Sequence, residues 1–124
     1  MIIGREFFLN VADFKIHTFI DETNVSLAFP DSYFHFLQKK TNNYDVKIKV
    51  HNGIPTELLR TKEVFKAPAS LNIFRKNDNF KHFWSIHKIK KEKFAVFTSD
   101  EVNEIFPYAI LCVDFNGRNW DIYI

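Results

Sequence analysis

The chain has 124 residues, a length that suits one hydrophobic core, because two cores would each be too small to fold without disulfides or metals. Hydrophobic residues make up 46% and aromatic residues 17%, including 15 Phe, which excludes the aromatic-poor, highly charged composition of disordered chains. A formal net charge of +2 is too small for the whole surface to trap a polyanion, and the lone Cys112 excludes an internal disulfide or a Cys-rich zinc site.

Arg5 and Glu6 interrupt the first apolar residues before a secretory core could form, and no later stretch is long and uncharged enough to span a bilayer. The expectation is a cytoplasmic chain that does not engage a membrane. Phe14 to Ile20 alternates between apolar and polar residues, and Val25 to Phe29 follows after the polar Asp21-Glu22-Thr23-Asn24, which predicts an N-terminal hairpin meander. Pro30 ends that strand, and Asp31 or Ser32 is placed to cap a short helix carrying Phe34 and Leu37 on one face.

The clearest alternation is Tyr44 to His51, where Tyr44, Val46, Ile48 and Val50 oppose Asp45, Lys47, Lys49 and His51, as in a strand with one wet face. A second short helix is expected from Thr56 to Val64, bounded by Pro55 and Pro68. Leu71 to Lys76, Phe80 to Lys88 and Phe94 to Thr98 read as a three-stranded meander, followed by a polar link at 100–104. Tyr108 to Phe115 is almost continuously apolar, as in a central strand covered on both faces.

Asn116-Gly117 has the composition of a two-residue type I′ turn. That turn would set Val113 against Trp120, Leu111 against Ile122, Cys112 against Asp121 and Asp114 against Asn119. The expected fold is mainly β, with α+β as the alternative. It is one compact antiparallel sheet domain over 1–124, arranged as a meander, sandwich or partial barrel, with one or two short helices.

Phe8-Leu9-Asn10-Val11-Ala12, Val46 to Gly53 and Arg118-Asn119-Trp120-Asp121-Ile122-Tyr123 resemble the β-rich N-terminal part of bacterial HPr-kinase-like ATPases. In that family the activity belongs to a following domain with a G-x-x-x-x-G-K-[ST] phosphate loop. With glycine only at positions 4, 53 and 117, this chain has neither that loop nor a G-x-G-x-x-G turn. The resemblance therefore implies an accessory domain without its enzyme, engaged in recognition or regulation, with no catalytic residue and no cofactor carried over.

Site chemistry is sparse. His82 and His87 are five apart, which separates them on a strand or a helix alike, so no local metal pair is expected. His17 and His51 sit on the wetter faces of their strands and would join Asp114 in a composite hydrolase site only if those strands met. Asp114 and Asp121 are diagonal neighbours in the predicted hairpin, a carboxylate pair unless turn amides such as those near Asn119 satisfy them.

The segment 75–93 carries a net charge of +5 with Phe80, Phe83 and Trp84 interleaved. Arg75, Lys81, Phe83, Trp84 and Lys88 are the candidate partner-binding residues. A protein or peptide partner is the first reading, and a single-stranded nucleic acid held by Arg75, Lys76, Lys81, Lys88, Lys90 and Lys91 is the alternative. Lysines on strand edges also oppose aggregation, and Trp84 with Ile86 fits a packed face. A homodimer through an uncovered strand edge is compatible with each reading.

Overall fold

The structure, a computed structural model, describes residues 1–66, 84–99 and 107–124. Among the described residues ten strands are formed: β1 (Ile2–Gly4), β2 (Glu6–Val11), β3 (Phe14–Ile20), β4 (Leu27–Phe29), β5 (Val46–His51), β6 (Lys62–Lys66), β7 (Trp84–Lys90), β8 (Lys93–Ser99), β9 (Pro107–Asp114) and β10 (Asn119–Tyr123). Eight of them make one sheet in the order β2-β3-β5-β10-β9-β8-β7-β6, while β1 and β4 form a separate two-stranded ribbon. The fold is mainly β, and the described residues include two short 3₁₀ helices, at Asp31–Phe36 and Thr56–Arg60.

The large sheet is mixed, because β5 runs parallel to both β3 and β10 whereas every other neighbouring pair is antiparallel. The N-terminal meander is accordingly shorter than predicted. β2 and β3 form a hairpin, but β4 leaves that sheet and pairs with β1, Ile2 facing Phe29. The expected hairpin turn at 21–24 instead starts a crossover from β3 to parallel β5, a connection no tight turn can make.

Local turn chemistry differs as well. In the β2–β3 hairpin Val11 faces Phe14 across a two-residue turn whose residues Ala12 and Asp13 both have positive φ, 51° and 66°, the type I′ pattern. Asn116-Gly117 is not such a turn. There the Gly117 N–H donates to the Asp114 carbonyl at 2.9 Å, and only Gly117 is left-handed, at φ 71°. A four-residue loop, 115–118, replaces the two-residue one, and since both are centred between Asn116 and Gly117 the predicted pairs Trp120–Val113, Asp121–Cys112 and Ile122–Leu111 are kept.

The helix expected over 56–64 stops after Thr56–Arg60, and the chain continues as strand β6. In the first 3₁₀ helix neither Asp31 nor Ser32 caps; Pro30 holds that position, without a side-chain hydrogen bond, and Phe34 is exposed. Leu37 and Gln38 then close the outer edge of β2, through a bridge from Leu37 to Leu9 and a Gln38 N–H bond to the Phe8 carbonyl.

β9 is central, as its composition predicts, and Ile110 on it is fully buried. Ile110, Cys112 and Ala95 form a core on one sheet face, beneath Ile54, Leu58 and Leu59 of the 3₁₀ segment. Burying a side chain such as Ile110 stabilises the fold by about 1.5–3 kcal/mol. On the opposite face, β4 lies over the β2, β3, β5 and β10 side of the sheet. Among the described residues no helix is long and apolar enough to cross a membrane.

Candidate functional site

Of the candidate partner-binding residues, Arg75, Lys81 and Phe83 lie outside the described residues, as does Lys76. Trp84 and Lys88 lie on β7, four residues apart and therefore on one face. Lys88 is directly opposite Lys62 on β6 and Phe94 on β8. A register shift between Glu63 and Phe65 turns Phe65 onto that same face, where its ring meets Trp84 at 5.2 Å and 34°.

The result is a band of Lys62, Phe65, Trp84, Lys88 and Phe94, with Phe65 47% and Phe94 37% exposed and Val64 beside them at 51%. Lys62 and Lys88 form no ion pair among the described residues. Like charges directly opposite on neighbouring strands are destabilising, and an acidic group placed between them relieves the repulsion. Lys90 and Lys93 repeat the arrangement across the β7–β8 turn. Lys62 escapes sequence reasoning because it falls in the segment 56–64 read as helix, Phe65 because it follows that segment with no pattern of its own, and only the strand with its bulge puts them beside β7.

The composite hydrolase residues do not assemble. His17 lies beside Lys47, four residues along β5 from His51, so about 13 Å of strand separates the two histidines. His17 is packed between Phe8, at 4.4 Å and nearly parallel, and Phe19 at 5.2 Å, with Tyr44 at 5.3 Å. Both its ring nitrogens are buried without a hydrogen bond, and burial lowers its pKa against the pull of Glu6. Asp114 is a turn residue: it accepts from the Arg118 N–H at 2.9 Å, the Asn119 N–H at 3.2 Å and the Asn119 amide at 3.0 Å, bonds that hold its pKa below the ordinary value.

Asp121 pairs instead with His51, Oδ1 to Nε2 at 2.8 Å, and Tyr123 stacks on the His51 ring at 4.3 Å. The parallel β5–β10 pairing makes this contact, which a sequence reading of the hairpin alone cannot find. Next to it a polar cleft of about 450 Å³ is lined by Phe19, Asp21, Lys47, Lys49 and Asp121. Lys49 is bound to Asp21 at 2.9 Å, and Lys47 stands over the Phe19 ring at 5.1 Å.

Cys112, which faces Asp121 across the β9–β10 pairing, is not an activated nucleophile. Burial, reinforced by the charge of Asp121, pushes the Cys112 thiol up to about 11, so the neutral thiol dominates at pH 7. A second histidine contact, Ser85 Oγ to His87 Nε2 at 2.9 Å, is sealed in, because Ser85 is 2% exposed. No group of three or more metal-ligating side chains occurs among the described residues.

The other face carries a trough of about 400 Å³ between β4 and the floor of β2, β3, β5 and β10. Its walls are aliphatic apart from Phe29 and the hydroxyls of Thr18 and Ser26. If sealed and empty, such a volume would cost about 10 kcal/mol of lost packing, as much as the stability of a typical domain. No protein-family model matches the chain, and no curated protein or solved structure matches it either.

Proposed function

We propose that this protein is a non-catalytic recognition module that binds an acidic segment of a protein or peptide through the band of Lys62, Phe65, Trp84, Lys88 and Phe94. The opposed Lys62 and Lys88, without an ion pair among the described residues, and the exposed aromatic rings beside them carry the reading, since apolar contact and charge complementarity are offered on one face. The likeness to an accessory domain without its kinase favours the same role. A single-stranded nucleic acid is less well served, because Trp84 is half-buried against Phe65 and is not an open platform for a base.

The test is affinity capture from the native cell extract at low and moderate salt, comparing the wild type with Lys62→Glu/Lys88→Glu and with Phe94→Ser. A discrete protein that survives moderate salt on the wild type and is lost from both variants is the expected result. Equal recovery on all three baits would remove the band as the site. Recovery of salt-labile, nuclease-sensitive material alone would replace the reading with nucleic-acid binding.

A further inference from the structure

We propose that segment 37–45 is an acid-released strap, closed on the outer edge of β2 while His17 is neutral and lifted from that edge when His17 takes up a proton. The segment runs from the first 3₁₀ helix to β5 and is tied to two strands on the way. Its first end lies on β2, through the Leu37–Leu9 bridge and the Gln38 N–H bond to the Phe8 carbonyl at 2.9 Å. Its second end lies on β3, where the Asp45 N–H donates to the Lys15 carbonyl and the Lys15 N–H to the Asp45 carboxylate, both at 2.8 Å. Next to that end the Tyr44 ring stands 5.3 Å from His17.

The surroundings of His17 suit a neutral ring and not a charged one. A protonated imidazole has two N–H donors. Glu6 Oε1 stands 3.5 Å from Nε2, long for a hydrogen bond, and Nδ1 meets no acceptor among the described residues. Lys47 on β5 and Lys40 on the segment both oppose a charge on the ring, and Lys15 lies two residues away on the same face of β3, beside Asp45. Water reaches the stranded donor only when the ring is uncovered, and the segment is the part that can yield. Phe8, Phe19 and Lys47 belong to the eight-stranded sheet, whereas Tyr44 and Lys40 do not. The β2 end is the weaker of the two, because the Gln38 amide nitrogen is buried there without an acceptor and release would hydrate it. Since burial lowers the pKa of His17 in the closed form, opening is favoured as the pH falls below about 6.5.

The experiment is amide exchange of the whole chain at about pH 7.5 and about pH 5, read residue by residue and corrected for the intrinsic rate. The Gln38 amide is expected to exchange through a local opening that is about tenfold more populated at the lower pH, while Ile110 on β9 stays far better protected at both. His17→Phe should abolish the pH dependence at Gln38. Lys40→Ala should reduce the opening at the lower pH and leave it unchanged at the higher, where His17 carries no charge to repel. Equal protection of Gln38 and Ile110, an opening that is the same at both pH values, or an undiminished pH dependence in His17→Phe would each overturn the proposal. Should His17→Phe fail to fold, Lys40→Ala decides, because Lys40 is exposed and acts on His17 through its charge; an unchanged opening at the lower pH would then refute the strap.

Discussion

Replacing Ala12-Asp13 by Asn-Gly should stabilise the protein. Both residues are left-handed, at φ 51° and 66°, and Ala has no side-chain group to compensate for the crowding of its Cβ in that region. The left-handed penalty is about 1–2 kcal/mol for an ordinary residue and less for Asp, whose short polar chain tolerates the conformation. Asn and Gly relieve most of it, while Gly returns about 0.4–1 kcal/mol through the larger entropy of the unfolded chain. The net gain is about 1 kcal/mol, or a rise of roughly 3–5 °C in Tm for a domain of this size. Urea unfolding followed by Trp fluorescence measures it. An unchanged or lower midpoint in Ala12→Asn/Asp13→Gly, or a neutral Ala12→Val, would refute the type I′ assignment.

Other consequences concern charge and packing. His17, lowered by burial, binds a proton more readily in the unfolded chain than in the fold. Its contribution is whole above about pH 6.5 and is lost as the pH falls from there towards the folded pKa. Glu6 opposes this shift and Lys47 and Lys40 favour it, so the urea midpoint should drop between about pH 7 and pH 5, and drop less in His17→Phe. Asp121→Asn removes the charge that helps to raise Cys112. The thiol should then titrate below its value of about 11 yet still above an ordinary cysteine, since burial is the larger cause, as thiolate absorbance would record. Asp114→Ala should cost about 1 kcal/mol by loss of the turn bonds. That difference should be absent at strong acid, where the depressed carboxyl of the wild type is itself protonated. Gly4→Ala places a Cβ 2.9 Å from Cζ of Phe7, whose ring is edge-on to Phe29, and should destabilise by about 1–3 kcal/mol on thermal melting.

Sequence periodicity revealed most strands because each carries its own pattern. Val46 to His51 alternates, and the apolar run of β9 marks the middle of a sheet. The C-terminal register was legible even though the turn type was not, because the two loop lengths preserve the same pairs. Partner choice was not legible. Alternation states that one face is wet but not which strand lies alongside, so the parallel β3–β5 and β5–β10 pairs were invisible. The His51–Asp121 contact and the separation of His17 from His51 follow from those pairs. The band around Trp84 was half legible. Its β7 members were found from charge and aromatic content, whereas Lys62 and Phe65 depend on a strand and a bulge that Thr56-Glu57-Leu58-Leu59 obscures by its helical composition.

The trough is also a consequence of parallel pairing. A hairpin would return the chain along the edge of β3, but parallel β5 requires the chain to travel back across the sheet before it can pair. That return carries β4 over the floor of Leu9, Ile16, Ile48 and Ile122, and β1, the first strand of the chain, pins it there by pairing Ile2 with Phe29. Phe29 is also held edge-on by Phe7 at 5.1 Å. The roof thus rests on β1 and on the ring contacts of Phe29 with Phe7 and Tyr33, and a space remains between two apolar surfaces. Shortening the side chain of Phe29 should therefore loosen the roof before it disturbs the eight-stranded sheet. In Phe29→Ala, amide exchange should quicken in β1 and β4 while β9 and β10 remain protected, and equal loss of protection in all four strands would show that roof and floor unfold as one unit.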